Sequence, residues 1–234
     1  RKLNWEYPRK ELTKIEGKTS VSKIAKPEEN KYEGTQIIPE FLKKTKKLTS
    51  AQIGTVVHLC MQKLNHKQVY NMQKITELLE NLALNKIITE QEKEAVEKNK
   101  ILKFTKSELF KKMKIAKIIH KEKPFFINVP VKELYESESE ETILVQGIID
   151  LYFIDENNHL ILVDYKTDYV PDNNESYLIE KYKEQLKLYS RAMEEALNRR
   201  VDEIYIYSTY LEKEIKIAKT KFAIGDTEEV KFKL

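Results

Sequence analysis

Two long apolar runs, TILVQGIIDLYFID and HLILVDYK, limit the possible folds more than any other feature of this chain. Both are rich in β-branched and aromatic residues, and only the short segment ENN separates them, which predicts two antiparallel strands. In the first run, Ile143, Val145 and Ile149 point to one side of the strand. Leu144 and Ile148 point to the other side. Because both sides are apolar, this run predicts a sheet that is covered on both faces.

Blocks of helical and strand-like pattern fill most of the remaining chain. We predict helices at AQIGTVVHLCMQKL, Val69–Asn85, TEQEKEAVEKNKIL, TKSELFKKMKIAKII and Glu175–Asn198, and further strands at PFFINVPVKELY, EIYIYSTYL and IKIAKTKF. Two Thr–Glu pairs, Thr89 with Glu92 and Thr105 with Glu108, have the spacing of capping boxes. The order of elements predicts a mixed α/β domain. Its central mixed sheet contains a three-stranded antiparallel meander and carries helices on both faces.

The first 47 residues differ in composition from the rest. They are rich in lysine, contain Pro8, Pro27 and Pro39, and lack apolar periodicity. We therefore predict an arm or linker at residues 1–47 and one folded domain at residues 48–234. A chain of 234 residues with 41% hydrophobic content is long enough to bury a full core. Because the first residue is Arg1, we expect this chain to be a piece of a longer protein.

Charge and cysteine content exclude several classes of protein. The chain has 42 basic and 38 acidic residues, and its net charge of +4 excludes a histone-like polycation while permitting a nucleic-acid partner. Cys60 is the only cysteine, so this chain contains neither an internal disulfide nor a four-cysteine metal cluster. Without a signal-peptide pattern or a long apolar span, we expect a cytoplasmic protein. No Walker A sequence occurs, so we expect no ATP-driven motor within this chain.

Each of the two apolar runs carries an aspartate, Asp150 in QGIIDLYF and Asp164 in LVDYK. Burying a charged side chain without a partner is costly. A three-residue loop, ENN, sets a register in which the two aspartates lie directly opposite each other, and Asn158 can adopt the left-handed conformation that such a loop requires. An even-numbered loop without a bulge would place them on opposite faces of the sheet.

The two aspartates and a nearby lysine form a chemically consistent group. Directly opposed carboxylates repel each other, and a divalent cation between them removes the conflict. Asp164 and Lys166 share one face of their strand, with Tyr165 on the other. By itself an Asp-x-Lys pair at a strand end is usually a solvated ion pair, but the second aspartate favours a catalytic interpretation. Two carboxylates and a lysine can bind a hard cation, activate a water and offset the charge that develops in phosphodiester hydrolysis.

Together with further motifs, these residues resemble a known family. GIID and LVDYKTD are similar to the motif pair of the PD-(D/E)XK nucleases. GTVVHLCMQ and YKEQLKLYSRAM extend the resemblance to the RecB-like branch, and in particular to the C-terminal nuclease domains of the AddA family. The resemblance covers most of the chain from Gly54 to Met193 and implies a restriction-endonuclease-like core. The proline that usually precedes the first acid is absent, because Ile149 stands there.

The resemblance implies a role for each matching residue. The implied catalytic residues are Asp150, Asp164 and Lys166. The implied metal ligands are His58, Asp150, Asp164 and the backbone carbonyl of Tyr165. Lys166 is expected to orient or help activate the attacking water. The residues expected to support the site or contact DNA are Tyr182, Gln185 and Tyr189. The implied cofactor is Mg²⁺, for which Mn²⁺ is expected to substitute.

The same resemblance implies a function and partners. It implies a Mg²⁺-dependent deoxyribonuclease that acts as an exonuclease on single-stranded DNA ends, within a helicase–nuclease complex for double-strand break repair and recombination. The implied partners are a helicase domain of the parent chain and an AddB-like subunit. Two alternatives stay open. One is a catalytically inactive DNA-binding or scaffolding module of the same fold, and the other is a free-standing nuclease such as a restriction or Cas4-like enzyme.

Taken without the resemblance, several residues keep a second interpretation. His58 lies beside the apolar stripe of its helix, where a hydrogen-bonded core histidine is common. Gly54, one turn earlier, permits close approach of substrate or backbone, or simple packing. Gln185 can be a satisfied buried amide. A row of lysines can either follow a phosphate backbone or form a solvated helical face. Its members are Lys103, Lys106, Lys111, Lys112, Lys114, Lys117, Lys121 and Lys123.

Overall fold

The structure, a computed structural model, describes residues 14–25 and 48–218. The α-helices and strands in these ranges, in chain order, are β1 (Lys18–Ser20), α1 (Val21–Ala25), α2 (Ser50–Lys63), α3 (Met72–Leu84), α4 (Glu90–Ala95), α5 (Lys98–Phe104), α6 (Glu108–Ile115), β2 (Ile118–Pro130), α7 (Val131–Leu134), β3 (Thr142–Ile154), β4 (Leu160–Lys166), α8 (Glu175–Leu197), β5 (Glu203–Ser208) and β6 (Lys213–Ile217). Most of the predicted arm, and the end of the strand predicted at IKIAKTKF, lie outside the described residues. None of the helices in the two ranges is long and apolar enough to cross a membrane.

The six strands form one mixed sheet with β3 at its centre. One edge of β3 pairs with β2 in antiparallel orientation along its whole length. The other edge pairs in parallel with β1 and, further along, in antiparallel orientation with β4. β4 then pairs in parallel with β5, and β5 in antiparallel orientation with β6. This sheet confirms the predicted mixed α/β class and the predicted β2–β3–β4 meander.

Two apolar clusters cover the two faces of the sheet, and β3 changes faces between them. Ile149 belongs to the cluster that contains α8, whereas Leu151 belongs to the cluster that contains α2, α3, α5 and α6. Residues two apart on a regular strand share a face, so the strand is distorted at Asp150. On the neighbouring strand, Glu122 has a positive φ of 50°. The pairs that flank it in the register place Glu122 directly across from Asp150.

Coverage of the sheet is complete along β4 but not along the first half of β3. Every residue of β4 is buried. In β3, by contrast, Ile148 is 51% exposed, so the prediction that apolar neighbours cover both sides of this run is wrong for its first half. Ile148 borders an open cavity, which leaves this side of the strand accessible.

The helices of the middle third are present, with corrections at their ends. Thr89 and Glu92 form the predicted capping box at α4. The capping box predicted for Thr105 and Glu108 is wrong, because Ser107 caps α6. Thr105 instead ends α5, and its hydroxyl donates to a backbone carbonyl of that helix. The segment predicted as one helix at TEQEKEAVEKNKIL is divided into α4 and α5, because Val96 between them has extended backbone and a buried side chain.

The helix predicted at TKSELFKKMKIAKII extends too far, because its end belongs to β2. β2 begins at Ile118, inside this segment, and pairs there with the end of β3. Pairing with a buried neighbour overrides the local helical pattern. At the other end of the strand, Val131–Leu134 forms the short helix α7 instead of continuing the strand predicted over PFFINVPVKELY.

Part of the predicted arm packs onto the folded domain. Lys18–Ser20 forms β1, which pairs in parallel with Leu144–Gln146 of β3. The next residue, Val21, is buried in the cluster that contains α8. This segment is therefore packed against the sheet, and the boundary between residues 47 and 48 stays a prediction.

The hairpin between β3 and β4 has the predicted loop. The N–H of Asp155 donates to the carbonyl of His159 at 3.0 Å, which leaves a loop of three residues. Asn158, the last of these, has a φ of 66° in the left-handed region. The paired residues continue from this loop to Leu151 and Val163 in the predicted register.

We predict that Asn158→Ala lowers the free energy of unfolding by about 1 kcal/mol, because alanine is strained at a positive φ. Asn158→Gly is expected to lose less, since glycine adopts this conformation without a Cβ clash. Asn157→Ala is the matched control in the same exposed loop, at a residue without a positive φ. Urea unfolding measures all three variants. Equal stability of Asn158→Ala and the control would show that this residue does not constrain the loop.

Candidate active site

The two predicted aspartates lie where β3 and β4 separate. The last regular pair of the hairpin is Leu151 with Val163, and Asp150 and Asp164 follow it directly. The N–H of Tyr165 donates to Oδ2 of Asp150 at 2.8 Å and so links the two strands at this point. The acids are therefore on adjacent antiparallel strands, as predicted.

A gap in strand pairing exposes this point of the sheet. On the edge of β3 that carries β4, β1 pairs with residues 144–146 and β4 with residues 151–154. Among the described residues, no strand pairs with residues 147–150 on that edge. Asp150 is at the end of this gap, so its side chain can be reached from outside the sheet.

Asp164 and Lys166 form a buried ion pair that Gln185 supports. Oδ2 of Asp164 lies 2.6 Å from Nζ of Lys166. The amide of Gln185, on α8, donates to Oδ1 of Asp164 at 3.1 Å and accepts from Nζ of Lys166 at 3.2 Å. It also donates to the hydroxyl of Tyr189 at 2.9 Å. Gln185 thus contacts both members of the predicted catalytic pair, and Tyr189, one turn further along the same helix, is bound to Gln185.

The environment of Asp164 disfavours its negative charge. Burial raises the pKa of Asp164 to about 6; the ammonium of Lys166 opposes this rise, and the charge of Asp150 adds to it. Oδ2 of Asp164 is buried and, in the part of the chain that the structure describes, has no polar contact other than the ammonium of Lys166. This oxygen therefore relies on the ion pair with Lys166 alone.

Three potential ligands converge on the other side of the gap. One ligand atom each from His58 of α2, Glu122 of β2 and Asp150 of β3 lies within 4.8 Å of the others. Nδ1 of His58 is 3.5 Å from Oδ2 of Asp150. Asp164, which the resemblance also implies as a ligand, is outside this group and bound to Lys166 and Gln185. The backbone carbonyl of Tyr165 stays a predicted ligand.

Glu122 is the residue of this group that sequence reasoning missed. The predicted strand begins at Pro124, which places Glu122 in a lysine-rich segment outside the sheet. An earlier start for β2 would have aligned Glu122 with Asp150, because the β2–β3 register is unbroken on both sides of this pair. Its positive φ is a further sign of constraint, since a glutamate rarely adopts the left-handed region.

The pKa shifts of these three groups follow from their mutual contacts. Burial lowers the pKa of His58, but its hydrogen bond to Asp150 and the nearby carboxylate charges outweigh burial and raise it. Burial raises the pKa of Asp150, but His58 and Lys166 outweigh that effect and lower it. The pKa of Glu122 is raised by burial and by the charge of Asp150. Neighbouring positive charge thus compensates Asp150, whereas burial outweighs it at Glu122 and Asp164.

This donor set fits a divalent cation. Carboxylate oxygens are preferred ligands of Mg²⁺ and Mn²⁺, and an imidazole nitrogen is compatible with Mn²⁺ and other transition metals. Glu122, whose pKa is raised by burial and by the charge of Asp150, would be stabilised by a cation bound within this group.

The ring of Tyr182 packs against the ammonium of Lys166. Nζ of Lys166 lies 4.1 Å from the ring centroid of Tyr182, within the range of a cation–π contact. The hydroxyl of Tyr182 donates to Oδ2 of Asp168 at 2.7 Å, and Lys181 forms an ion pair with Oδ1 of the same carboxylate at 2.7 Å. Through these two contacts, Asp168 connects α8 to the segment that follows β4.

Two cavities meet at these residues. The larger has a volume of about 1090 Å³ and the smaller about 620 Å³. His58, Lys166 and Tyr182 line both cavities. Glu122 borders the larger cavity, and Asp150 borders the smaller one together with Asp164. A substrate in this cleft can therefore reach the predicted ligands from either side.

The predicted lysine row does not line these cavities. Lys111 and Lys112 form ion pairs with glutamates, and Lys121 donates to backbone carbonyls at the end of α2. The lysines that line the two cavities are Lys166 and Lys181. The row is thus better explained, at these positions, by contacts within the protein.

Gly54 permits a close approach between α2 and the end of β4. A Cβ at this position would lie 2.7 Å from Oγ1 of Thr167 and 3.8 Å from its Cβ. Of the interpretations that the sequence left open, close backbone packing is therefore the one observed. The contact holds α2, and with it His58, against the strand that carries Lys166.

Comparison with known proteins shows what this chain is similar to. The profile of the PD-(D/E)XK nuclease superfamily matches residues 31–233. Curated relatives named as the A subunit of an ATP-dependent helicase/nuclease are 38% identical over 221 residues in Clostridium kluyveri and 34% identical over 229 residues in Syntrophomonas wolfei. These alignments cover 88% and 93% of this chain but 18% of each relative, so the chain spans less than a fifth of their length. A crystal structure of SSO0001 aligns with a TM-score of 0.33 and 10% identity over 70% of this chain and 75% of that chain, a likeness too weak to support an argument.

We predict that Gly54→Ala lowers the free energy of unfolding by about 1–2 kcal/mol through the clash with Thr167. In a Thr167→Ala background the clashing oxygen is absent, so Gly54→Ala should instead stabilise the helix by up to about 1 kcal/mol. Thr167→Ser keeps the oxygen and is the matched control background. Urea unfolding of the six combinations tests the reversal of sign. The same effect of Gly54→Ala in all three backgrounds would refute the packing explanation.

Proposed function

Because the chain belongs to the PD-(D/E)XK nuclease superfamily, we propose that it hydrolyses phosphodiester bonds of single-stranded DNA ends with Mg²⁺ as its cofactor. The observation that supports this most is the position of two groups on either side of one gap in the sheet. His58, Glu122 and Asp150 form a potential cation site, and Asp164 and Lys166 form the ion pair beside it. The carboxylates and the imidazole of the first group can bind a divalent cation. The ammonium of the second group can orient a water molecule and offset the negative charge that develops on the phosphate.

The residues proposed to hold the cation are His58, Glu122 and Asp150, with Asp164 on the opposite side. When bound, a divalent cation polarises the scissile phosphate and favours a nucleophilic hydroxide. Glu122 extends the ligand set that the sequence implied. Because its pKa is raised by burial and by the charge of Asp150, its carboxylate would be stabilised by added positive charge.

Lys166 is proposed to act on the water and on the charged transition state. Its ammonium is bound by Asp164, by the oxygen of Gln185 and by the ring of Tyr182. These three contacts fix its direction while it stays on the walls of both cavities. A fixed ammonium at this place can orient a water and offset negative charge on the phosphate without rearrangement.

The wider setting is part of the same proposal. The relatives' name, which joins a helicase and a nuclease in one chain, supports a helicase domain elsewhere in the parent chain. We extend this to exonuclease action in the cytoplasm, an AddB-like partner, and a role in double-strand break repair and recombination. The presence of Asp150, Asp164, Lys166 and Gln185 argues against the alternative of a catalytically inactive scaffold, because such a module does not require these side chains.

We predict that Lys166→Ala lowers the rate of single-stranded DNA cleavage by about two to four orders of magnitude while Mn²⁺ affinity is kept, because the lysine is not a ligand. Asp164→Ala and EDTA should abolish cleavage. Digestion of a labelled oligonucleotide with Mg²⁺, combined with Mn²⁺ calorimetry, gives both readouts. Lys111→Ala, at a lysine paired on the surface, is the matched control. A Lys166→Ala variant that cleaves within about tenfold of the parent would leave Lys166 as a strand-end ion-pair partner.

We predict that His58→Ala and Glu122→Gln each weaken Mn²⁺ binding by at least about tenfold, because each removes one ligand from a small set. In the absence of metal, the melting temperature of each variant should stay close to that of the parent. Glu156→Gln, in the exposed hairpin loop, is the matched control for Glu122. Unchanged calorimetric affinity in His58→Ala would make His58 a structural partner of Asp150 only.

A further inference from the structure

The exposed tyrosines of this protein are gathered at one place. Among the tyrosines in residues 14–25 and 48–218, the exposed ones are Tyr169, Tyr177 and Tyr210. Their exposed fractions are 65%, 39% and 36%. All three line the larger cavity, together with Lys166 and Glu122. Large exposed aromatic rings that cluster in a cleft usually mark a binding surface.

The sheet places two of these tyrosines at the same edge as Lys166. β4 and β5 are parallel neighbours, and Lys166 pairs with Ser208 at their ends. Tyr169 follows β4 by three residues, and Tyr210 follows β5 by two. Their ring centroids are 5.0 Å apart at an interplanar angle of 76°, so the two rings support each other edge to face. The N–H of Thr209 donates to the carbonyl of Lys166 at 2.9 Å and fixes the second segment.

Charge and aromatic surface occur together along this wall. Nζ of Lys181 lies 5.6 Å from the ring centroid of Tyr177 and is bound to Asp168. A cleft that combines ammonium groups with exposed rings suits a polymer of phosphates and flat bases. A cavity of about 1090 Å³ lies just above the usual range for a single small ligand, so it has room for more than one nucleotide.

We propose that Tyr169 and Tyr210, with Tyr177 beside them, form a stacking platform for unpaired bases next to the scissile phosphate. This inference rests on the proposed function and adds the feature that selects the substrate. Bases in a duplex are already stacked and paired, so they cannot offer a free face to these rings. Because every base has such a face, the platform accepts any sequence but requires unpaired nucleotides.

The test measures DNA binding of the whole chain in Ca²⁺, so that binding is read with little turnover. Fluorescence anisotropy is recorded with a labelled oligo-dT and with an oligonucleotide of equal length that carries abasic sites. The double variant Tyr169→Ala/Tyr210→Ala should bind oligo-dT about tenfold or more weakly than the parent. On the abasic strand the parent and the variant should bind equally, because there is no base to stack.

Two control variants separate stacking from folding and from the loss of a hydroxyl. Tyr169→Phe/Tyr210→Phe keeps the rings and should bind oligo-dT within about twofold of the parent. Leu84→Ala removes an exposed side chain on α3 that is not among the residues lining either cavity, and it should have no effect. The salt dependence of binding should be equal in all variants, since the phosphate contacts are unchanged.

The outcomes distinguish failure of this inference from failure of the proposed function. If the parent binds and cleaves single-stranded DNA but the alanine variant binds oligo-dT equally well, the platform is overturned. A parent that loses no affinity on the abasic strand also overturns it. If the parent neither binds nor cleaves any DNA, the proposed function fails, and this inference fails with it.

Discussion

The buried ion pair between Asp164 and Lys166 is the interaction on which the site depends. Removing two charges from water is so costly that a buried pair adds little stability unless further contacts satisfy it. Gln185 forms hydrogen bonds with both Asp164 and Lys166. The ring of Tyr182 forms a cation–π contact with the ammonium of Lys166. Both residues belong to α8, so this helix is required both for the apolar core and for the charge pair beneath it. The packing of one helix thus fixes the direction of the lysine.

A distortion shared by two strands creates the place where a cation can bind. Glu122 and Asp150 are directly across from each other at the point where β3 changes the face that it presents to the helices. A regular pair at this point would send both side chains into one apolar layer. Instead the two carboxylates lie close to His58 of α2, beside the gap in strand pairing at residues 147–150 of β3. The sheet is therefore irregular where the proposed chemistry requires it, a pattern common at functional sites.

The parts of the structure that local rules determine can be predicted from the sequence, and the parts that distant pairing determines cannot. The register that aligns Asp150 with Asp164 follows from loop length and from Asn158, both of which the sequence displays. Glu122 was missed because the strand was predicted to begin only at Pro124, and its earlier start at Ile118 depends on pairing with β3. The exposed side of Ile148 could not be predicted either, because it depends on where the helices end. The resemblance supplied His58 as a candidate ligand, whereas the residues alone favoured a hydrogen-bonded core histidine.

The short strand β1 gives the smaller cavity a wall that is weakly held. Only three residues pair with β3, and Ser20 and Ser22, at the end of this segment, border the cavity. A three-residue parallel pairing opens at a much lower free energy than the long β2–β3 ladder on the other edge. Backbone amides of β1 should therefore exchange with solvent deuterium well before those of the hairpin that carries the acids. The cavity can widen on one side while the charged groups keep their positions.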